Sequence, residues 1–154
     1  MASFKFLSVL LILISSCSNV RGQNNDSLNV MRATEKFLYA FNNFNWPVFR
    51  DSFDSSATIF YPEWQPARRV VGKVEIEKTW LELFPEFADS ANTSKMNITP
   101  KDIFVQLYGE TAIVSFHLGD GKAWLSRRTL AMLKRKNDWK IIHLHASFMT
   151  AKAN

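Results

Sequence analysis

The sequence predicts an α+β domain in which three early helices pack on one face of a curved, mainly antiparallel sheet. Three observations carry this. Apolar residues recur at helical spacing in the first half of the chain. Strand-like runs separated by short turns fill the second half. No internal repeat or composition break divides the two. The chain beyond Gly22 has the length of one domain around one core, and thirteen Phe and five Trp suit an aromatic-lined interior.

Ser27 can cap a helix over 28–43, whose residues Val30, Phe37, Leu38 and Phe41 form one buried stripe with Met31 and Ala33 nearby. A short second helix is expected over 46–53, with Pro47 in its first turn. Ala57 to Tyr61 reads as a short strand ended by Pro62, and 63–69 as a loop. After Gly72 a third helix is expected over 73–88, built on Val74, Ile76, Trp80, Leu81, Leu83, Phe84 and Phe87 and shortened or kinked by Pro85. Beyond a polar break at 89–95, four strands are expected at 97–108, 111–118, 123–133 and 139–148. The turns between them are Gly109-Glu110, Gly119 to Lys122 and Lys136 to Asp138.

Side-chain alternation then assigns faces. A regular two-residue turn in the last hairpin puts Arg128, Leu130 and Met132 on one face with Ile141, His143, His145 and Ser147, and Ile142, Leu144, Ala146 and Phe148 on the other. A regular hairpin around Asp120-Gly121 adds His117 and Trp124 to the first face, and Val114, Phe116 and Leu118 to the second. All three histidines of the chain would then share a surface with Arg128 and Trp124, unless a β-bulge intervenes. A structural role, in the core or at a dimer contact, competes for each histidine.

Several chemistries lack their signatures. His-x-His alone falls short of the three or four convergent ligands of a metal site, so no metal and no cofactor are expected. No Gly-x-Ser-x-Gly elbow supports a Ser–His–Asp hydrolase. The formal charge is +5, and Lys5 and Arg21 contribute two of it. The remaining basic residues sit in short pieces without a Gly-rich loop, which argues against nucleic acid as a partner.

The first residues read as an export signal: Lys5, then the apolar run Phe6 to Ile14, then small residues. That run is shorter than the roughly 20 residues of a membrane-spanning helix. Two cleavage sites compete. Ile14-Ser15-Ser16-Cys17 looks like a bacterial lipobox, which would make 1–16 the signal and Cys17 a lipidated first residue anchored to a membrane. Val20-Arg21-Gly22 would make 1–22 the signal and release Gln23. The expectation is an exported protein, either a bacterial envelope lipoprotein or a periplasmic or secreted one. With Cys17 as the one cysteine, the mature fold has no disulfide. Sequons at Asn25, Asn92 and Asn97 matter only in a eukaryotic host.

Three pieces together resemble the nuclear transport factor 2-like superfamily. They are Asn45-Trp46…Phe53…Ala57 to Pro62 after the first helix, Val71-Gly72-Lys73…Ile76…Trp80…Phe84, and the ending Arg128-Thr129…Trp139 to Ser147. That ending is similar to the calcium/calmodulin-dependent kinase association domain and to SnoaL-like proteins. The resemblance implies one domain over 27–150: a cone-shaped roll whose bent sheet wraps three helices around an apolar pocket, commonly homodimeric through the outer sheet face. Catalytic positions are not matched. Tyr61 stands where the ketosteroid isomerase pattern has its general-base aspartate, and Leu118 and Leu130 fall near the pocket arginines of the kinase association domain, with Arg128 shifted along its strand.

Two functions are therefore expected to compete. One is a non-catalytic module for a small apolar or amphipathic molecule, with Tyr61, Trp80, Trp124, Arg128, His143 and His145 as ligand-binding candidates and Trp46 beside them. The other is an isomerase, cyclase or dehydratase using His143, His145 or His117 as acid–base groups, since histidine transfers protons near neutral pH. A pure assembly domain is a third possibility.

Overall fold

The computed structural model describes residues 25–61, 69–119, 124–136 and 138–150. Cys17 and both cleavage sites lie outside them. Helix α1 covers 25–42, α2 Trp46–Asp51 and α3 Lys73–Leu83, followed by a 3₁₀ turn at Pro85–Phe87. The strands are β1 (Phe53–Phe60), β2 (Val70–Val71), β3 (Lys101–Tyr108), β4 (Thr111–Leu118), β5 (Trp124–Arg135) and β6 (Asp138–Thr150). They form one open, curved sheet in the order β2-β1-β6-β5-β4-β3 with the helices packed on it. Among the described residues no helix is long and apolar enough to cross a membrane.

Helix α1 is already helical at residue 25, so Ser27 lies within the helix and does not precede it. Asp26 in that earlier turn is held by Lys134 on β5, at 2.6 Å and 2.9 Å from its two carboxylate oxygens. An acidic residue there also suits the positive end of the helix dipole. Helix α2 starts as expected, with the Asn45 carboxamide accepting from the Val48 N–H and Pro47 in the first turn. Helix α3 stops at Leu83 because Pro85 lacks an N–H and restricts Phe84, which takes φ −136° and ψ 79°.

The helices and the sheet meet in a phenylalanine cluster. Phe49 is 1% exposed. Its ring centroid lies 4.7 Å from Phe87, 5.1 Å from Trp80, 5.4 Å from Phe53 and 5.5 Å from Phe37. Most of these pairs are tilted or edge-on, the arrangement favoured by aromatic quadrupoles. Trp46 joins this cluster, packing on Phe87 and Phe49.

Two features were absent from the expectation. β1 runs parallel to β6, and β2 is a two-residue edge pairing Thr58 with Val71. Parallel pairing of strands so distant in sequence leaves no turn signal. The register between β1 and β6 jumps between Phe53 and Thr58. Asp54 braces that jump: one carboxylate oxygen accepts from the Ser56 N–H and hydroxyl at 3.0 Å and 2.7 Å, and the other from Arg135 Nε at 2.7 Å. Arg135, then the Ser56 donors, hold the Asp54 carboxyl well below its ordinary value of 3.8. A depressed carboxyl stabilises the fold fully above that ordinary value, and the contribution is lost as pH falls through the lowered one. Asp54→Asn is expected to make the acid side of the stability curve shallower, read as urea midpoint against pH below about 4.

Candidate functional site

A cavity of about 290 Å³ lies between the helices and the inner face of the sheet, at the small end of ligand pockets, which run from roughly 300 to 1,000 Å³. Phe37, Leu38 and Phe41 of α1 and Trp80 and Leu83 of α3, with Phe84 just beyond, form one wall. Phe41 lies four and three residues beyond Phe37 and Leu38, and Leu83 three beyond Trp80, so each set shares one helix face. Phe116 and Leu118 of β4, Arg128 of β5 and Leu144, Ala146 and Phe148 of β6 form the other wall, with Tyr61 at the end of β1. Met96 and Ile98 close a side. Their segment is tied to the end of α1, where the Met96 N–H donates to the Asn42 carbonyl at 2.9 Å and the Ile98 N–H to its side-chain oxygen at 3.0 Å.

The inner wall differs from the face assignment made from alternation. Arg128 pairs with Ala146 and Leu130 with Leu144, so these belong with Phe148 on the cavity side. The reason is a bulge. Ala131 pairs with His143 but Met132 with Ile141, which leaves Ile142 as an extra residue on β6. One inserted residue inverts the facing of everything beyond it. Ile141 stays with Met132 as expected, whereas His143, His145 and Ser147 move to the outer face. The β4–β5 connection adds a second inversion, because His117 pairs with Arg127 and not with Trp124. The three histidines do share one sheet face, but with Arg127, opposite the cavity. Trp124 pairs with Thr150 along the backbone, and its side chain lies outside the described residues.

On that outer face the His143 Nδ1 is 2.7 Å from the Thr58 hydroxyl, and Phe60 lies 5.9 Å from His143 and 5.7 Å from His145. Burial first, then the neighbouring His145 and Arg69, favour the neutral form of His143. Among the described residues no group of three or more His, Cys, Asp or Glu side chains is placed to hold a metal ion.

The polar groups around the cavity are few. Tyr61 is buried, with its hydroxyl donating a long bond of 3.4 Å to the Ile76 carbonyl. Burial pushes its pKa further above 10, so it remains a phenol and a donor. Trp80 stacks on Phe84 and sits edge-on to Tyr61, and its indole N–H is buried with no partner among the described residues. Arg128 lies with its guanidinium carbon 5.8 Å from the Phe148 ring centre, a cation–π contact. Burial pulls its pKa down to about 10, which leaves it a cation at neutral pH. Among the described residues no carboxylate lines the cavity and Arg128 has no ion-pair partner.

Sequence reasoning picked out Tyr61, Trp80 and Arg128, which meet at this cavity. It missed Met96 and Ile98, although two apolar residues at alternate positions in a polar stretch were a usable signal. It also assigned Leu144, Ala146 and Phe148 to a face without Arg128.

The chain is similar to many solved structures of one architecture. A candidate dehydratase of the NTF2-like family from Streptomyces avermitilis is 18% identical, with a TM-score of 0.68 over 84% of this chain and 99% of that one. An NTF2-like protein of unknown function from Pseudomonas putida is 17% identical, with a TM-score of 0.65 over 80% and 87%. The CaMKII hub of S. rosetta is 25% identical, with a TM-score of 0.63 over 80% and 96%. No curated protein matches the chain. The family model of the SnoaL-like domain matches residues 30–151. The helices and the open curved sheet are thus those of these structures, and the chain belongs to the SnoaL-like domain family.

Proposed function

We propose that this chain is an exported small-molecule-binding domain whose ligand occupies the cavity between α1, α3 and the inner sheet face. The observation that carries the reading is the cavity itself, walled by aromatic and aliphatic side chains with three polar ones among them: Tyr61, Trp80 and Arg128. The competing isomerase, cyclase or dehydratase reading needs an acid–base group beside the substrate. Among the described residues the ionisable groups at the cavity are Tyr61 and Arg128, and both keep their protons at neutral pH. His117, His143 and His145 face the other way. A homodimer through the outer face is part of the proposal, supported by Phe104 and Tyr108, which stand exposed on edge strand β3. Export rests on the Phe6 to Ile14 run, with a lipid anchor at Cys17 if the first cleavage site is used.

The test is ligand uptake. The purified protein is expected to bind 1-octanol, detected by ligand-observed NMR and calorimetry. Ala146→Trp, which places an indole in the cavity, is expected to weaken binding by tenfold or more, and Ala146→Leu by less. Unchanged octanol binding in a folded Ala146→Trp variant would place the ligand elsewhere and sink the proposal.

A further inference from the structure

We propose that the cavity is built for a monoanionic amphiphile, with the carboxylate of the ligand on Arg128 and its apolar body against the aromatic walls. This rests on the binding reading above and adds the class of ligand.

Three lining side chains carry N–H or O–H groups, namely Tyr61, Trp80 and Arg128. Arginine and tryptophan donate only, and the Tyr61 hydroxyl is already engaged by the Ile76 carbonyl and the Thr79 side chain, so the donors left for a ligand are those of Trp80 and Arg128. Among the described residues the lining contains no Asp, Glu, Asn, Gln, Ser, Thr or His side chain to accept. The cavity therefore offers donors and asks for acceptors. A ligand bearing an amine or another cation would find no carboxylate among the described lining residues and would be repelled by Arg128.

Charge narrows the class. Arg128 is partly buried with no carboxylate beside it among the described residues, and the face of Phe148 compensates a desolvated cation only in part. In an apolar hollow an incoming anion meets far less screening than at the surface. A carboxylate matches the two-pronged fork of a guanidinium, so charge and geometry are met together. A single cation balances a single negative charge, which favours a carboxylate over a phosphate dianion. The remaining walls are apolar, and the volume limits the body to a short chain or a small ring.

The experiment compares probes that share a tail and differ in the head. Octanoate is expected to bind the wild-type protein at least about tenfold more tightly than 1-octanol at neutral pH. Arg128→Met is expected to lose that preference while still taking up octanol, and Arg128→Lys to keep part of it. Octanoate binding no tighter than octanol in the wild-type protein overturns the anion assignment and leaves the binding reading standing. Tighter binding of octyl phosphate than of octanoate also overturns it. Binding of neither octanol nor octanoate removes both. The wild-type comparison decides the matter even if a variant fails to fold.

Discussion

Phe49→Ala is expected to destabilise the fold by about 3–5 kcal/mol, the range for a phenylalanine truncated in a packed core. The side chain is 1% exposed and touches rings from every layer: Phe37 and Phe41 of α1, Trp46 of its own helix, Phe53 of β1, Trp80 of α3 and Phe87 of the 3₁₀ turn. Their ring centroids lie between 4.7 Å and 6.1 Å from its own. Removing it takes away the one fully buried side chain of α2, and the rigid aromatic neighbours cannot collapse into the space. Domains of this kind hold only about 5–15 kcal/mol in total, so the variant should lie near the threshold of folding. Urea denaturation measures the loss, and Val74→Ala at an exposed α3 position is the control, expected within about 0.5 kcal/mol of wild type. A Phe49→Ala variant within about 1 kcal/mol of wild type would mean that the cluster is not the centre of the core.

The second large effect runs the other way. Arg128→Met is expected to stabilise the ligand-free protein by about 1–3 kcal/mol. The guanidinium lies largely out of water with Phe148 beneath it, and methionine retains much of the apolar stem while removing the uncompensated charge. Buried cations without partners cost more than the packing they provide, so neutralising one relieves the fold. The gain should appear as a raised urea midpoint in protein freed of bound molecules. Saturation with octanoate should narrow the difference, because a ligand that binds only the native wild-type protein stabilises it by mass action. If Arg128→Met instead lowers stability by more than about 1 kcal/mol, the guanidinium is already satisfied within the protein and its role is structural. With the prediction as stated, Arg128 is a residue that binding keeps and stability alone would not.

Much of the architecture was legible because it rests on local chemistry. Helical spacing marked α1 and α3, Pro47 and Pro85 marked one start and one stop, and the turns at Gly109-Glu110 and Lys136-Asn137 marked two hairpins. Tyr108 pairs with Thr111 across the first turn, and Arg135 with Asp138 across the second. Gly109 at φ 60° and Lys136 at φ 57° supply the left-handed backbone that such tight turns require. The aromatic content foretold an aromatic interior, and Tyr61, Trp80 and Arg128 stood out as polar or amphipathic side chains among apolar neighbours.

The tertiary structure alone decided which side each β residue faces. Alternation along a strand has a period of two, so its reading holds only until a residue is inserted. Ile142 is such an insertion, and no feature of Lys140-Ile141-Ile142-His143 announces it. The bulge is set by pairings to both sides of β6: Ile141 must oppose Met132 and Phe53, while His143 must oppose Ala131 and Thr58. Those constraints come from β1, β5 and β6 together, far apart in the chain. They turned His143 and His145 outward and brought Ala146 and Phe148 beside Arg128, while the β4–β5 connection did the same for His117. Local composition thus determined the elements and their order, and long-range pairing determined which of their side chains enclose the cavity.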